Sequence, residues 1–347
     1  MKIAYLIPSL KKCGPVNVMS SLAIELAKEY DITVLALKSG DMLQSLTSAG
    51  ITVKVVSIKA MLLDVISCDY DIVHSHCLIP DVMLGVASFF NKKSITCTTI
   101  HNFIDVDYIY SKGYVVGKLM GLFNRLALKK IKLRISCSEA VRDYCQRNYD
   151  IKSDAVCNGV YSQNGFNHTK ISDKKHVDFY YLGVINARKN LEPLLCGFSL
   201  FLNKGNNDVL HIIGDGPSAE ELRKKYEGDN IIFHGTSSDP VSLIENYDCY
   251  VSMSFAEGCP LAFLESLSLG KNYICSDIPP HREIHNKVRS GFLVSSSDLN
   301  SVIKAFENAI VIKDSQRENI TNSFEQYFSV KVMSQKYKEV YNGKLKG

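Results

Sequence analysis

The chain has 347 residues, of which 46% are hydrophobic and 22% charged, and 40 basic against 36 acidic side chains leave a formal net charge of +4. At about 150 residues per domain this length makes two domains with separate cores, and the composition excludes collagen, coiled coil and intrinsic disorder. So small a net charge, with no nucleic-acid-binding motif, argues against a DNA or RNA partner.

From the N-terminus, Lys2 to Pro8 reads as a strand. The apolar run beginning at Ile3 meets Lys11, Lys12 and Gly14 rather than a small-residue cleavage site, so a signal peptide is not expected and the protein is read as cytoplasmic. Further β-branched or apolar runs follow at Asp31–Leu37, Thr52–Ile58, Asp71–His76, Ser94–Ile100, Leu133–Cys137 and Asp154–Cys157, with helical stretches between them. The longest apolar stretch, Val82 to Phe90, is about half of the roughly 20 residues that cross a bilayer, so no transmembrane helix is expected. A polar stretch without apolar period places a linker over 163–176, between a first domain at 1–162 and a second at 177–324. The second domain repeats the pattern at Val177–Leu182, Asp208–Ile213, Ile231–Gly235, Cys249–Met253, Asn272–Ser276 and Gly291–Val294. Strands alternating with helices mean parallel sheets covered on both faces, so two doubly wound, Rossmann-like α/β domains facing a central cleft are expected. The final helix, from Glu325 to about Tyr341, carries a stripe at Val330, Met333, Tyr337, Val340 and Tyr341. It is expected to return to the first domain, which assigns 325–347 there. Eleven cysteines lack any Cys-x-x-Cys pair, and Cys97, Cys137, Cys157, Cys249 and Cys275 lie in apolar runs, where a reduced thiol acts as a small hydrophobe.

Ligands of such sheets sit beyond the carboxyl ends of the strands, so the residues there carry the search for chemistry. The segment from Cys249 to Gly270 holds a strand, a turn at Glu257-Gly258, Pro260 suited to a first helical turn, and an almost wholly apolar helix from Leu261. A carboxylate at Glu265 in that helix is costly unless something hydrogen-bonds it. Either ligand hydroxyls do so, or Glu265 lies at the helix edge and meets water or a cation. A partly helical path puts Glu257 and Glu265 about 10 Å apart, which suits gripping two ends of a ligand better than nucleophilic double displacement. The helix N-terminus at Cys259 to Leu261 lies between them and attracts phosphate.

After the strand ending at Leu182, Arg188 and Lys189 are expected at the start of a helix. There they are either two solvated charges or the seat of an anion. The run Gly214-Asp215-Gly216-Pro217-Ser218-Ala219 formally fits a dinucleotide fingerprint, yet His234-Gly235 stand where its acidic residue belongs, which disfavours a nicotinamide site. In the first domain, Gly14 opens a helix where backbone amides can approach a ligand or an acceptor phosphate. His101 ends a strand beside His74 and His76, as a ligand contact or a satisfied histidine, and no metal site is expected. Between Lys112 and Arg134 seven basic residues face no acidic one and alternate with large apolar residues. Such a segment is either a solvated basic helix or a peripheral contact with an anionic membrane.

Together these stretches resemble the retaining, family-4 type glycosyltransferases of the GT-B fold over nearly the whole chain. The resemblance rests on Glu257-Gly258-Cys259-Pro260 followed by Glu265, which is similar to the family's Glu-(seven residues)-Glu motif. It rests also on Gly183 to Asn190, Gly214 to Pro217, Asn158-Gly159-Val160, Asp71 to His76 and Thr99-Ile100-His101. Val184 stands where many members carry arginine, and Cys13-Gly14 where Gly-Gly is usual. The resemblance implies that Glu257 touches the hydroxyls of a donor sugar, Glu265 the ribose, Arg188 and Lys189 the diphosphate, and His101 the sugar from the opposite domain. It implies further donor contacts at Gly14, Gly183, Asn186, Gly214, Gly258, Cys259, Pro260 and Leu261. The implied activity is a cofactor-free, metal-independent hexosyltransferase. It would move a sugar from a UDP- or GDP-linked nucleotide-sugar donor to a glycan or polyprenyl-linked acceptor in bacterial surface polysaccharide (O-antigen, capsule or lipopolysaccharide) synthesis. It would work in the cytoplasm or at the inner face of the cytoplasmic membrane. A nucleotide-sugar epimerase of the same fold and a non-catalytic nucleotide-sugar binding protein are the competing readings.

Overall fold

A computed structural model describes residues 1–67, 69–91, 93–163, 176–309 and 314–345. Two compact units emerge, one of Met1–Val160 with Phe328–Gly347 and one of Tyr161–Tyr327. The first runs β1 (Lys2–Ile7), α1 (Gly14–Leu26), β2 (Asp31–Ala36), α2 (Leu43–Ser48), β3 (Thr52–Val55), α3 (Ile58–Ser67), β4 (Ile72–His76), α4 (Leu78–Ala87), β5 (Ile95–Ile100), α5 (Val106–Lys112), α6 (Tyr114–Leu128), β6 (Leu133–Ser136), α7 (Glu139–Tyr149) and β7 (Asp154–Ala155). Its strands lie in the order β3-β2-β1-β4-β5-β6-β7, all pairs parallel. Parallel strands covered on both faces are buried almost end to end, as β1 and β4 are, and β4 carries His74, Ser75 and His76 because each of them finds a hydrogen-bond partner. Ala4, Leu6, Leu35 and Val73 of the sheet meet Met61, Val65 and Leu84 of the helices in one core.

The second unit runs β8 (Asp178–Leu182), a single 3-10 turn (Ala187–Lys189), α8 (Leu191–Leu202), β9 (Val209–Ile213), α9 (Ala219–Tyr226), β10 (Ile231–Gly235), α10 (Pro240–Ile244), β11 (Cys249–Ser252), α11 (Leu261–Ser268), β12 (Asn272–Ser276), α12 (Pro279–Val288), β13 (Phe292–Val294), α13 (Leu299–Asn308) and α14 (Asp314–Tyr327). Its sheet order is β10-β9-β8-β11-β12-β13, again parallel. Phe179, Phe198 and Phe306 centre the core, with ring centroids 5.0–5.7 Å apart in edge-on pairs.

Every strand read from the sequence is present, with ends that move by up to three residues; the run Thr52–Ile58 is the longest overreach, because Ile58 already opens α3. Most of the expected linker, residues 164–175, lies outside the described residues. The first unit gives up its last two expected residues, and the second extends to Tyr327 rather than 324. The helix expected from Glu325 to Tyr341 is broken: α14 stops at Tyr327 and α15 (Val330–Leu345) starts afresh. The break has a cause in hydrogen bonding. Val160 N–H donates to the Phe328 carbonyl (3.1 Å) and Val330 N–H to the Val160 carbonyl (3.0 Å), which draws Phe328 and Ser329 out of helical pairing. Gly159 permits this approach, because a Cβ there would lie 2.6 Å from the Ser329 carbonyl oxygen. Helix α15 then packs on α1 and buries Tyr337 and Tyr341 in the first unit. Cys97, Cys137, Cys157, Cys249 and Cys275 are buried thiols outside any disulfide.

Candidate active site

In both sheets the chain leaves one strand, builds outward, and returns to the other side of it. The resulting switch points lie between β1 and β4 and between β8 and β11. Loops diverge there, which opens space at the strand ends. The second unit's switch point is where β8 and β11 deliver Arg188, Lys189 and Glu257.

Glu257 is 5% exposed and holds both cations: Lys189 Nζ donates to Oε1 at 2.6 Å and Arg188 Nη1 to Oε2 at 2.9 Å. Arg188 Nη1 also donates to the Ala256 carbonyl. Burial alone would raise the Glu257 carboxyl, but Lys189 and Arg188, helped by the Ser254 hydroxyl, outweigh it and hold the group down at about 2. The cluster is therefore ionised, with two positive charges on one negative. Backbone hydrogen bonds fix it in place. Phe255 N–H donates to the Arg188 carbonyl (2.9 Å), and Asn190 Nδ2 to the Met253 carbonyl (3.1 Å), so the loops after β8 and β11 form one piece. The loop after β9 joins them, with Ile185 N–H on the Asp215 carbonyl and Gly183 N–H on that of Ile213. Gly214 is obligatory: its φ is +139°, and a Cβ would lie 1.9 Å from the Gly183 carbonyl oxygen.

Several expected placements change. Arg188 and Lys189 do not open α8 but occupy the 3-10 turn before it. Asn190 interrupts the helix there with a left-handed φ of 51°, a conformation asparagine tolerates. Asn186 spends its Oδ1 accepting from the Lys189 N–H, so it caps the turn that carries the cations. Pro260 is the N-cap residue of α11 rather than part of its first turn, and no side chain caps that end. Cys259 is buried beside it and Leu261 is the first helical residue. Glu265 is half-buried on α11, and its carboxylate has no hydrogen-bond donor among the described residues; burial raises it to about 7. His234, where a dinucleotide site would have its acid, hydrogen-bonds His211 at 2.9 Å.

The first unit's switch point carries a histidine chain. His76 Nδ1 and His101 Nε2 are 2.8 Å apart, and His74 stacks on His76 with centroids 4.5 Å apart. His74 bridges the Tyr341 hydroxyl (2.6 Å) and the Thr99 hydroxyl (2.8 Å), while Tyr337 reaches Thr99 (2.9 Å). Burial keeps His74 and His101 neutral down to about 3 and holds His76 well below its ordinary 6.5. His76 Nε2 is buried without a partner. A bare lone pair costs less there than an orphaned N–H, so the His76 proton belongs on Nδ1, donating to His101 Nε2. The His101 proton then sits on Nδ1, which makes His101 a neutral donor. Among the described residues no group of three His, Cys, Asp or Glu is placed to hold a metal ion. Beside His101 a cavity of about 270 Å³ is lined largely by apolar side chains such as Pro8, Pro15, Ile79 and Phe103, with Asp81 at its wall. Gly14 stands at the start of α1, and nothing within 4 Å of a Cβ there requires a glycine.

Two family matches cover most of the chain: residues 14–163 match Glycosyltransferase Family 4, and residues 166–327 match Glycosyl transferases group 1. The chain is a family-4 glycosyltransferase of the GT-B fold. The transferase is 26% identical to the O-antigen biosynthesis glycosyltransferase WclY of Escherichia coli, over 99% of this chain and 98% of that one. It is 24% identical to the E. coli UDP-Gal:alpha-D-GlcNAc-diphosphoundecaprenol alpha-1,3-galactosyltransferase over 78% and 75% of the two chains. Anabaena HepE, solved in complex with UDP-glucose, superposes with a TM-score of 0.80 at 17% identity over 99% of this transferase and all of that chain.

Sequence reasoning missed how this transferase uses Ser254, Asn190 and His76. Ser254 and Asn190 sit within three residues of Glu257 and Lys189, but only the fold shows that the Ser254 hydroxyl turns back on Glu257 within its own loop while Asn190 reaches across to the Met253 carbonyl. The sequence already set His76 beside His101 at neighbouring strand ends, but only the fold shows the direct 2.8 Å contact between their rings.

Proposed function

We propose that the transferase moves a sugar from a UDP-linked donor, with retention of anomeric configuration, to a glycan or polyprenyl-linked acceptor in the synthesis of a bacterial surface polysaccharide. The observation that carries this reading is the paired engagement of Arg188 and Lys189 on the ionised Glu257 at a switch point, in a chain of this family. As the bond from the anomeric carbon to the diphosphate breaks, negative charge grows on the phosphate oxygens and positive charge on the sugar. Arg188, Lys189 and the uncapped amides of α11 would stabilise the first without reorganising. Glu257 would accept from a sugar hydroxyl and Glu265 from the ribose. Glu257 already carries two cations, so it is no convincing nucleophile, and same-face attack by the acceptor hydroxyl, its proton passing to the leaving phosphate, accounts for retention. Relatives named for O-antigen synthesis and for a diphosphoundecaprenol-linked substrate support the acceptor class, and HepE's complexes support UDP. The place of work would be the cytoplasmic side of the membrane that bears such an acceptor.

The test is transfer from UDP-sugars to a polyprenyl-diphosphate-linked sugar in the presence of EDTA, with the new linkage read by proton NMR. The same anomer as the donor is expected, with no loss of rate to EDTA. An inverted linkage would refute the mechanism, an epimerised donor in water alone would favour an epimerase, and saturable donor binding without turnover on any acceptor would favour a binding protein.

A further inference from the structure

Helix α6 is built inside out. Its buried positions are Gly117, Gly121, Asn124, Ala127 and, in its last turn, Leu128, while Val115 (78% exposed), Leu119, Leu122, Phe123 and Leu126 face solvent. Positions 115, 119, 122, 123 and 126 make a single stripe on a helix, of the kind that a globular protein ordinarily turns toward its core. The inward face cannot be exchanged for the outward one. A Cβ on Gly117 would lie 2.5 Å from the Ile109 amide nitrogen, one on Gly85 of α4 would lie 3.2 Å from Ala127 Cα, and Asn124 Nδ2 donates to Asp81 Oδ2 at 2.9 Å. The exposed surface continues onto the end of α4 through Val86, Phe89 and Phe90, and Lys130 Nζ stands 5.3 Å over the Phe89 ring. More than half of the large hydrophobic side chains exposed among the described residues fall within 79–90 and 110–126.

Charge selects the occupant. Lys118 and Arg125 turn back to the buried Asp105 at 3.1 and 2.6 Å, so they are spent within the unit. Lys93 follows the end of α4, Lys112 precedes α6, and Lys129, Lys130 and Lys132 follow it; all are exposed, Lys130 stands over Phe89 of the patch, and no acidic residue occurs from 112 to 134. A second copy of this chain meeting the face symmetrically would bring these lysines together, whereas an anionic bilayer accepts both the apolar side chains and the cations. We propose that the outward face of α6, with the end of α4, docks the enzyme on the surface of an anionic membrane. No helix among the described residues is long and apolar enough to cross one, so the attachment is peripheral. The proposal deepens the reading of a membrane-borne acceptor and rests on it for its purpose, but its test needs neither donor nor acceptor.

The full chain is sedimented with sucrose-loaded vesicles of phosphatidylcholine alone or with about 30% phosphatidylglycerol. Anionic vesicles should bind at least about tenfold more tightly, and salt at about 0.5 M should erase most of the difference. The combined variant Val115→Asn, Leu119→Asn and Phe123→Asn should lose about tenfold or more of the binding. Lys129→Ala with Lys130→Ala should lose about tenfold on anionic vesicles only. An unchanged melting temperature shows that both variants are folded. Wild-type protein left in the supernatant, or a triple variant that binds as wild type does, would overturn the proposal. So would a dimer in light scattering that the triple variant dissolves while vesicles go unbound. Failure of UDP to bind would sink the donor reading and leave the vesicle result standing.

Discussion

Lys189 and Glu265 bear opposite costs. Lys189 is held by Glu257 in the free enzyme and would stabilise the diphosphate as it leaves, so Lys189→Ala should lower kcat by about 10²–10³, read under saturating donor. Removing the carboxylate instead strands two cations: Glu257→Ala should cost about 3–5 kcal/mol in denaturant titration. The folded state holds Glu257 at about 2, below its ordinary 4.5. Its contribution is therefore complete above pH 4.5 and lost as the pH falls from there through about 2. Glu265 has the reverse sign. Raised to about 7, it costs stability as pH rises from 4.5 through 7, so Glu265→Gln should stabilise the free enzyme by up to about 3 kcal/mol at pH 8 and hardly at all at pH 4. Donor affinity should move the other way, falling in Glu265→Gln, as expected of a site whose stability is given up for function. Isothermal titration beside thermal melts at both pH values checks the pair of effects.

At the scale of elements, the three loops after β8, β9 and β11 act as a single support. Gly214→Ala should destabilise by about 1–3 kcal/mol and loosen donor binding together, because the new methyl would push Gly183 and with it the turn carrying Arg188 and Lys189. Melting temperature and donor affinity measured on one preparation decide this; a stable variant with weakened binding would separate two roles that the geometry joins. The strands were legible in the sequence because doubly covered parallel strands read as short apolar or β-branched runs, even where polar residues such as His74, Ser75 and His76 interrupt one of them. Glu265 was legible because a carboxylate in an apolar helix is conspicuous. Asn190 was not: a left-handed residue inside an otherwise helical pattern leaves no periodic trace, so Lys189 looked like the start of α8. The α14–α15 break was hidden for a related reason, since the pairing of Ser329 with Val160 is made across some 170 residues of chain. In α6 the apolar stripe was legible but its direction was not, because only the packing of Gly117 and Asn124 shows which face is inward.

For the molecule as a whole, the two units divide the chemistry between them. Unit two carries the charged cluster and Glu265. Unit one carries the histidine chain, the cavity beside His101 and the exposed face of α6, and its own strands are tied to the C-terminus through Tyr337 and Tyr341. The cluster at the ends of β8 and β11 is expected to receive a nucleoside diphosphate. Isothermal titration of the full chain with UDP at pH 8, with EDTA present, measures that binding. The wild type should bind one UDP saturably, and Lys189→Ala should bind at least about tenfold more weakly for the loss of one charge-assisted hydrogen bond. Equal affinities in wild type and variant, or no binding in either, would contradict that expectation.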